Sequence, residues 1–252
     1  MTASSSGAAV ELQDVSVRYR VPHERYFSFK EFAIRWLQRR VEYVDFWALR
    51  DVCLEVQPGE AVGVIGVNGA GKSTLLRTVA RVLHPAEGRV VVRGSIAPML
   101  ELGTGFHSEL TGRENVFLYG SLLGYTSQQI EEMYESILAF SGLEEFIDAP
   151  LRTYSTGMVA RLGFAVATAR YADIFLVDEV LSVGDEAFQR KCIQRIESYR
   201  RQGATILFVS HSMGTVQEIC QRVVWLDGGQ VMQQGAPEDI IPAYLRGTDG
   251  SG

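Results

Sequence analysis

The Gly-rich segment GVNGAGKS, residues 66–73, is the part of the sequence whose residue types most clearly indicate chemistry. It fits the pattern G-x-x-x-x-G-K-[S/T] at every fixed position. It lies between an apolar run at 61–65, which predicts a buried strand, and a predicted helix. In such loops backbone N–H groups point at phosphate oxygens, and the N-terminus of the next helix adds a partial positive charge. The sequence therefore predicts a nucleotide phosphate site made of consecutive residues: Gly66, Val67, Asn68, Gly69, Ala70, Gly71, Lys72, Ser73 and Thr74.

Three side chains at the end of this segment have the chemistry to hold a nucleoside triphosphate and its metal ion. We expect the Lys72 ammonium to reach the β- and γ-phosphates, the Ser73 hydroxyl to ligate Mg²⁺ and Thr74 to contact a phosphate oxygen. A glycine-rich turn without a ligand is the alternative interpretation. The loop alone does not distinguish kinases, GTPases and transport ATPases.

Two adjacent carboxylates and a histidine follow later apolar runs. Asp178 and Glu179 come directly after residues 174–177, and His211 comes shortly after residues 205–209. Ligands of open α/β sheets bind at the carboxyl ends of strands, where these side chains should lie. We expect Asp178 to join the Mg²⁺ shell, Glu179 to orient or deprotonate the attacking water, and His211 to contact the γ-phosphate. An ordinary acidic turn and a hydrogen-bonded loop histidine are the alternatives.

The segment YSTGM, residues 154–158, opens a predicted helix and forms a second candidate phosphate site. Its hydroxyl and backbone N–H groups stand at a positive helix end. One copy of the chain has little use for two such sites, whereas a head-to-tail pair lets this one clamp the γ-phosphate held by the other copy. The alternative is that the serine only caps the helix. The residues predicted to act across the pair are Ser155, Thr156 and Gly157.

The order of the predicted elements indicates an α/β fold. Strands and helices alternate after the Gly-rich segment and end in a hairpin, which implies a core with a parallel sheet. Thr111 and Glu114 form a capping box that starts a mostly helical stretch. The predicted divisions are a disordered N-terminus at 1–9, one folded domain at 10–246 with a helical subdomain at 106–153, and a tail at 247–252.

The stretch 21–47 is an unusual insertion between the first two predicted strands. Ser28 and Glu31 form a capping box for an amphipathic helix that has one apolar, aromatic face and one basic face. Such a helix suits a partner helix or a membrane interface. Burial against the domain's own sheet explains the same pattern equally well.

Composition limits the classes of function. The chain has 252 residues, a formal net charge of −6 and a pI near 5.3, which argues against a broad basic face for nucleic acid. Cys53, Cys192 and Cys220 have neither a disulfide-framework nor a zinc-ligand spacing. No apolar run approaches the roughly 20 residues that span a bilayer, and the N-terminus lacks a signal-peptide pattern. We therefore expect a soluble protein in the cytoplasm.

The ordered motifs resemble those of one known family. GVNGAGKS, YSTGM, DIFLVDE, the SVGD run and His211 are similar to the Walker A, signature, Walker B, D-loop and switch-histidine motifs of ABC transporter ATPases. The resemblance covers nearly the whole chain. It implies an ABC-type P-loop NTPase core with a parallel sheet, an antiparallel β-subdomain and a helical subdomain, with ATP and Mg²⁺ as ligands.

The resemblance also implies partners and further site residues. A homodimer would sandwich two ATP molecules and drive a polytopic membrane channel subunit, expected in two copies, from the cytoplasmic face of the plasma membrane. Adenine would stack on Tyr19, which closes the first predicted strand. Tyr26, Phe46 and Trp47 are the aromatic alternatives. The D-loop residues would be Ser182 and Asp185.

Two departures from the family pattern point to one branch. Glu101 stands where most members have a glutamine, and Met158 ends the signature where glutamine is usual. With the ELGTGF and LTGREN runs, they resemble the branch that exports polysaccharides, O-antigens and teichoic acids through a two-subunit channel. An ionised carboxylate only accepts hydrogen bonds or binds metal, so we assign Glu101 a metal or coupling role. A small-solute importer ATPase and a DNA-maintenance ATPase are the alternative functions.

Overall fold

The computed structural model describes residues 7–22, 43–100, 102–178 and 184–249 of the chain. Three predicted site residues, Glu101, Glu179 and Ser182, lie outside these ranges. The helix predicted to begin near residue 28 also lies outside them.

The smaller of two sheets is antiparallel, with three strands in the order β2–β1–β4. Its strands are β1 (Val10–Pro22), β2 (Tyr43–Val56) and β4 (Glu87–Val92). Buried side chains on β1 and β2 pack in one apolar cluster with the first strand of the larger sheet and the helix that follows it. This sheet is the antiparallel β-subdomain that the resemblance implied.

The larger sheet has six strands in the order β5–β6–β7–β3–β8–β9. All neighbours are parallel except the β8–β9 hairpin. The strands predicted at 61–65 and 205–209 are confirmed, because continuous apolar runs of this length are buried on both faces of a parallel sheet. The strands are β3 (Ala61–Ile65), β5 (Ile96–Met99), β6 (Ile174–Asp178), β7 (Thr205–Val209), β8 (Arg222–Asp227) and β9 (Gln230–Gly235).

Seven α-helices and one short 3₁₀ helix occur in the described ranges. None of the helices found there has the length and apolar character needed to cross a membrane. The predicted capping box is confirmed, because Glu114 N donates to Thr111 Oγ1 at 3.2 Å and Thr111 N donates to Glu114 Oε2 at 2.8 Å. The helices are α1 (Lys72–Val79), α2 (Gly112–Leu122), α3 (Ser127–Ser141), α4 (Thr156–Ala167), α5 (Glu186–Arg201), α6 (Met213–Ile219) and α7 (Pro237–Asp249), with the 3₁₀ helix at Leu151–Thr153.

An aromatic cluster joins three of these helices. Phe140 of α3, Phe164 of α4 and Phe188 of α5 contact one another with ring centroids 5.6–6.2 Å apart. Phe164 and Phe188 are buried. Aromatic pairs at these distances stabilise a packed arrangement beyond the burial of area alone. The start of α5 is therefore packed against α4.

The antiparallel pairing of β1 and β2 extends further than the sequence predicted. Tyr19 pairs with Phe46 and the ladder ends at the Pro22 and Tyr43 pair, so residues 43–47 belong to a strand and not to the insertion. Each strand supplies the other's backbone partners, which a local pattern does not reveal. The part of the insertion between the strands, residues 23–42, lies outside the described ranges.

Both predicted termini need correction. Residues 7–9 were expected to be disordered, but Ala9 N donates to Val56 O at 2.8 Å and Ala9 O accepts from Arg93 N at 2.9 Å. At the other end α7 continues to Asp249, so residues 247–249 are helical and not a tail. The sequence carried a signal for this helix, because proline is favoured in a first helical turn.

One buried side chain holds the loop before α2. Asn115 is fully buried, and its Oδ1 accepts from His107 N at 2.7 Å. Its Nδ2 donates to the carbonyl oxygens of His107, Leu110 and Thr111 at 2.8–3.1 Å. Removing this side chain leaves His107 N without this acceptor and takes one of two hydrogen bonds from each of the three carbonyl oxygens, which is costly.

We predict that Asn115→Ala lowers the free energy of unfolding by about 2–3 kcal/mol. Urea unfolding followed by circular dichroism measures the change. The matched control is Ser121→Ala on the same helix, where an exposed hydroxyl bonds Phe117 O, and a change within about 0.5 kcal/mol is expected. Equal effects of the two substitutions would contradict the prediction.

Candidate active site

The Gly-rich loop connects β3 to α1 and leaves no room for side chains at two glycines. Gly66 has φ +154°, and a Cβ there would lie 2.2 Å from Leu226 O. Gly71 has φ +104°, and a Cβ there would lie 2.6 Å from Ala48 O. Both positions therefore require glycine, because the chain passes directly against neighbouring backbone. The loop is held in a tight turn at the carboxyl edge of the parallel sheet.

The Lys72 side chain lies inside the curve of this loop. It is 6% exposed, and its Nζ donates to Gly66 O at 2.8 Å and to Val67 O at 3.0 Å. A buried ammonium is stable only with hydrogen-bond acceptors around it. Contact of Lys72 with the phosphates stays a prediction.

A hydrogen bond joins the loop to the end of β6. Ser73 Oγ donates to Asp178 Oδ2 at 3.0 Å, although the two residues are far apart in sequence. A hydroxyl and a carboxylate are hard oxygen donors of the kind that Mg²⁺ prefers. The structure therefore brings together two of the three predicted metal ligands, and their chemistry fits the ion.

A cavity of about 250 Å³ lies against the loop and is lined by two aromatic side chains of the antiparallel sheet. Tyr19 is partly buried, and Phe46, its cross-strand partner, is 57% exposed. Directly opposed residues of an antiparallel pair project from the same face. The predicted adenine-stacking residue thus lies near the phosphate loop, with Phe46 beside it. The rest of the lining is Ala48, Asn68, Gly69, Gly71, Lys72, Ser73 and Thr74.

The predicted second phosphate site is the N-terminus of α4. Ser155 caps this helix, because Met158 N donates to Ser155 Oγ at 3.2 Å. Ser155 and Thr156 are exposed, and a Cβ at Gly157 would meet only Ser155 Oγ, at 3.8 Å. Among described residues, none from α4 lines the cavity at the Gly-rich loop. The structure thus confirms the capping role and leaves the phosphate role a prediction.

His211 and Asp178 lie at the same edge of the sheet. Asp178 pairs with Val209 in the β6–β7 ladder, and His211 follows Val209 by two residues. The His211 side chain is exposed. Parallel neighbours end at one edge, so the histidine is placed next to the strand that ends at Asp178.

Asp185 caps α5 and contacts α4. Phe188 N donates to Asp185 Oδ1 at 2.9 Å, and Asp185 Oδ2 forms an ion pair with Arg161. These contacts, first the Phe188 N–H and then the arginine, hold the pKa of Asp185 below its ordinary value. The sequence did not single out Arg161, because its partner is distant in sequence.

A second contact that the sequence did not predict supports the loop from the C-terminal hairpin. Gly229 N donates to Ala70 O at 3.1 Å, and Gly229 O accepts from Arg50 N at 2.9 Å. The glycines at 228 and 229 indicate a hairpin turn, but they do not indicate that this turn contacts the phosphate loop. The hairpin and β2 therefore both contact the phosphate loop.

Comparisons with known proteins relate this chain to ATP-binding proteins of transporters. A family model described as ABC transporter matches residues 49–182. An O-antigen export system ATP-binding protein RfbB of Klebsiella pneumoniae is 51% identical over 79% of this chain and 81% of its own length. A protein of the same name from Myxococcus xanthus is 42% identical over 94% of this chain and 55% of its own length. A teichoic acids export ATP-binding protein TagH of Lactococcus lactis is 44% identical over 79% and 43%.

Solved structures share the fold. The ATP-binding subunit of an ABC transporter superposes with a TM-score of 0.72 at 23% identity, over 94% of this chain and 93% of the other. A dimeric ATP-binding cassette in a post-hydrolysis state with ADP and Pi gives a TM-score of 0.72 at 22% identity, over 90% and 98%. The α/β fold with a parallel core, an antiparallel sheet and a helical part is thereby confirmed.

We predict that Tyr19→Ala weakens ATP binding about fivefold or more, because base–aromatic stacking is lost. Isothermal titration with ATP and, separately, with inorganic triphosphate measures this. Triphosphate affinity should stay unchanged, since the loop is intact, and Tyr19→Phe should bind ATP as the original chain does. A loss seen with Phe46→Ala and not with Tyr19→Ala would assign the base to Phe46 instead.

Proposed function

This chain belongs to the ABC transporter family as an ATP-binding and ATP-hydrolysing subunit, and we propose that it powers the export of a lipid-linked polysaccharide. The observation that carries the proposal is the 51% identity with an O-antigen export ATP-binding protein over most of both chains. The teichoic acid relative extends the similarity to a second surface polymer. These relatives favour export over the import of small solutes and over DNA maintenance.

The phosphate loop provides most of the substrate binding. The backbone N–H groups from Gly66 to Thr74 surround the phosphates of ATP, and the N-terminus of α1 adds its partial positive charge. Lys72 neutralises charge on the β- and γ-phosphates. Tyr19 stacks on adenine in the cavity beside the loop.

Two groups at the edge of the sheet hold the metal ion. The Ser73 hydroxyl and the Asp178 carboxylate, which are hydrogen-bonded to each other at 3.0 Å, become its protein ligands. Bound Mg²⁺ would neutralise charge that develops between the β- and γ-phosphates. Glu101 has a metal or coupling role in this proposal.

Hydrolysis requires a positioned water at the γ-phosphate. Glu179, directly after Asp178, accepts a proton from that water as its oxygen bonds to the γ-phosphorus and the bond to the β–γ bridging oxygen breaks. His211, on the loop after the neighbouring strand, contacts the γ-phosphate and helps to orient the water. ADP and inorganic phosphate are the products.

The exposed N-terminus of α4 supports a head-to-tail homodimer. The surface at this helix end consists of the hydroxyl groups of Ser155 and Thr156 and the backbone of Gly157, which has no side chain. It lies away from the chain's own phosphate loop. In the dimer this helix end of each copy clamps the γ-phosphate held by the other. ATP binding closes the pair, and the repulsion between charged products opens it again. Ser182 and Asp185 form the D-loop at the same interface.

The remaining partners follow from the type of transporter. We expect two copies of a polytopic membrane channel subunit, which hold this chain at the cytoplasmic face of the plasma membrane as a peripheral protein. Relatives named for export systems support such a partner. The net charge of −6 argues against nucleic acid as a ligand.

We predict that Glu179→Gln lowers ATP turnover about 100-fold or more and leaves ATP affinity within about twofold. The amide keeps the size of the side chain but does not take a proton from water. With ATP the variant should accumulate as a dimer, measured by light scattering after size-exclusion chromatography.

The matched control is Glu186→Gln, which removes an exposed carboxylate that pairs with Arg190 in the first turn of α5. It should hydrolyse ATP as the original chain does and dimerise only transiently. Rapid turnover by Glu179→Gln would refute the assignment of the base. If Glu179→Gln binds ATP but stays monomeric, the result would argue against a nucleotide site shared between two copies.

We predict that the insertion couples the ATPase to its channel. Because Pro22 and Tyr43 are paired at the end of the β1–β2 ladder, an Asn-Gly turn can replace residues 23–42 without disturbing Tyr19 or Phe46. ATPase activity of the isolated chain should stay within about twofold, since the paired strands and both aromatic side chains are kept, whereas polysaccharide export by the complete transporter should stop. Normal export would show that the insertion has no coupling role.

A further inference from the structure

A groove between α3 and α5 carries positive charge, and none of its described lining residues is acidic. Its volume is about 490 Å³, which is in the range of small-ligand sites. It shares no described lining residue with the cavity at the phosphate loop. The wall from α3 consists of Ser136, Ala139 and Phe140, and the wall from α5 consists of Lys191, Gln194 and Arg195.

The two cations of the groove have no counter-charge from the described part of the chain. Lys191 and Arg195 are four residues apart on α5, so their charges lie on the same side of the helix and repel each other. No carboxylate of the described ranges lies within ion-pair distance of either side chain. Elsewhere on α5 an arginine does have such a partner, because Arg190 pairs with Glu186 at 2.7 Å. An anion between Lys191 and Arg195 would therefore remove a repulsion.

Uncharged groups hold the Arg195 guanidinium in place. Its Cζ lies over the Phe140 ring, 3.8 Å from the centroid, and its Nη1 donates to Thr168 O at 3.1 Å. Burial lowers the pKa of Arg195, because the charge is partly removed from water. Within the described ranges the bond to Thr168 is the only hydrogen bond of this guanidinium, so its other N–H groups are available. A guanidinium with a fixed orientation binds phosphate oxygens through paired hydrogen bonds.

The shape and the charge of the groove favour a small anion. The chain as a whole does not attract anions, because its formal net charge is −6, so anion binding needs a local site. Ser136 and Gln194 line opposite walls and add a hydroxyl and an amide as hydrogen-bond donors. Lys191 is exposed, whereas Arg195 is partly buried between the two helices. A phosphate group is narrow enough to reach such a guanidinium, while the flat surface of a membrane is not.

We propose that the groove between α3 and α5 is a second anion site, which binds the phosphate group of a soluble small molecule. Arg195 holds the phosphate through paired hydrogen bonds, and Lys191 attracts it as a point charge. A ligand bound there contacts both helices, so it stabilises the packing of α3 against α5. The site uses no residue of the phosphate loop, so the proposal goes beyond ATP hydrolysis and does not depend on it.

The test is an NMR titration of the full chain with inorganic pyrophosphate. We expect saturable shifts of the Arg195 side-chain Nε–H signal and of the Ala139 backbone N–H signal. Arg195→Gln, followed through Ala139, should weaken this binding about tenfold or more, because charge-assisted hydrogen bonds are lost. Lys191→Gln should weaken it about threefold, since only a point charge is removed. Arg195→Lys keeps the charge but loses the paired hydrogen bonds, so its affinity should lie between those of the original chain and Arg195→Gln.

Two controls separate this site from general charge effects and from the phosphate loop. Arg190→Gln removes the same charge from the residue next to Lys191, but that arginine is paired with Glu186, so the affinity in the groove should stay within about twofold. Lys72→Ala changes the phosphate loop and should leave the shift at Ala139 and its concentration dependence unchanged. Pyrophosphate should also raise the melting temperature of the Lys72→Ala chain, because a ligand stabilises the folded state that binds it.

Several outcomes overturn the inference. The absence of a saturable shift up to about 10 mM pyrophosphate does so, as does equal weakening by Arg190→Gln and Arg195→Gln. If Arg195→Gln fails to fold, Lys191→Gln and Arg195→Lys decide by the same affinities. Sedimentation with phosphatidylcholine vesicles, with and without phosphatidic acid, tests a lipid as the source of the phosphate. Binding that needs both phosphatidic acid and Arg195, without binding of free pyrophosphate, would overturn the soluble ligand.

Discussion

The close backbone approach around the phosphate loop is the constraint on which the rest of the structure depends. Gly66 lies directly against Leu226 O at the end of β8, and Gly71 lies against Ala48 O in β2. Gly229 of the hairpin turn bonds Ala70 O in the loop itself. Two parts of the chain that are distant in sequence, β2 and the β8–β9 hairpin, are thus fixed relative to one turn of backbone. Because β2 carries Phe46 and pairs with the strand that carries Tyr19, this contact also places the aromatic side chains beside the phosphate loop.

Electrostatics explains why few side chains are needed at the phosphate loop to bind an anion. Burying the Lys72 ammonium is costly, and two loop carbonyl oxygens offset part of that cost. The same curve of backbone that supplies these oxygens presents N–H groups to an anion. The loop therefore accommodates a cation and an anion together, with its geometry already set by packing. Ser73 and Asp178 extend this arrangement to the next strand end, where a bound divalent cation would complete the balance of charge.

The sequence predicted those elements that depend only on residues close together in the chain. β3 and β7 were found at the predicted residues because short, fully apolar runs are buried in parallel sheets, and the Thr111 capping box formed because its partners are three residues apart. The sequence did not predict the extension of the β1–β2 ribbon, the contact of Gly229 with the loop or the pairing of Arg161 with Asp185. Each of these depends on a partner brought close by the tertiary fold. The pattern also predicted site residues, without indicating which aromatic side chain would be more exposed in the cavity beside the loop.

The contacts of Asp178 with Ser73 and of Asp185 with Arg161 suit a reversible cycle. A single neutral-to-charged hydrogen bond or a partly exposed ion pair contributes on the order of 1 kcal/mol, which is small beside the free energy available from binding a nucleotide. The elements that carry these contacts are in contrast rigid: a glycine-constrained loop on one side and an aromatic cluster on the other. Because these contacts are weak and the elements they join are rigid, ligand binding can change the position of the elements relative to one another. A fold built in this way changes its active geometry without unfolding any of its parts.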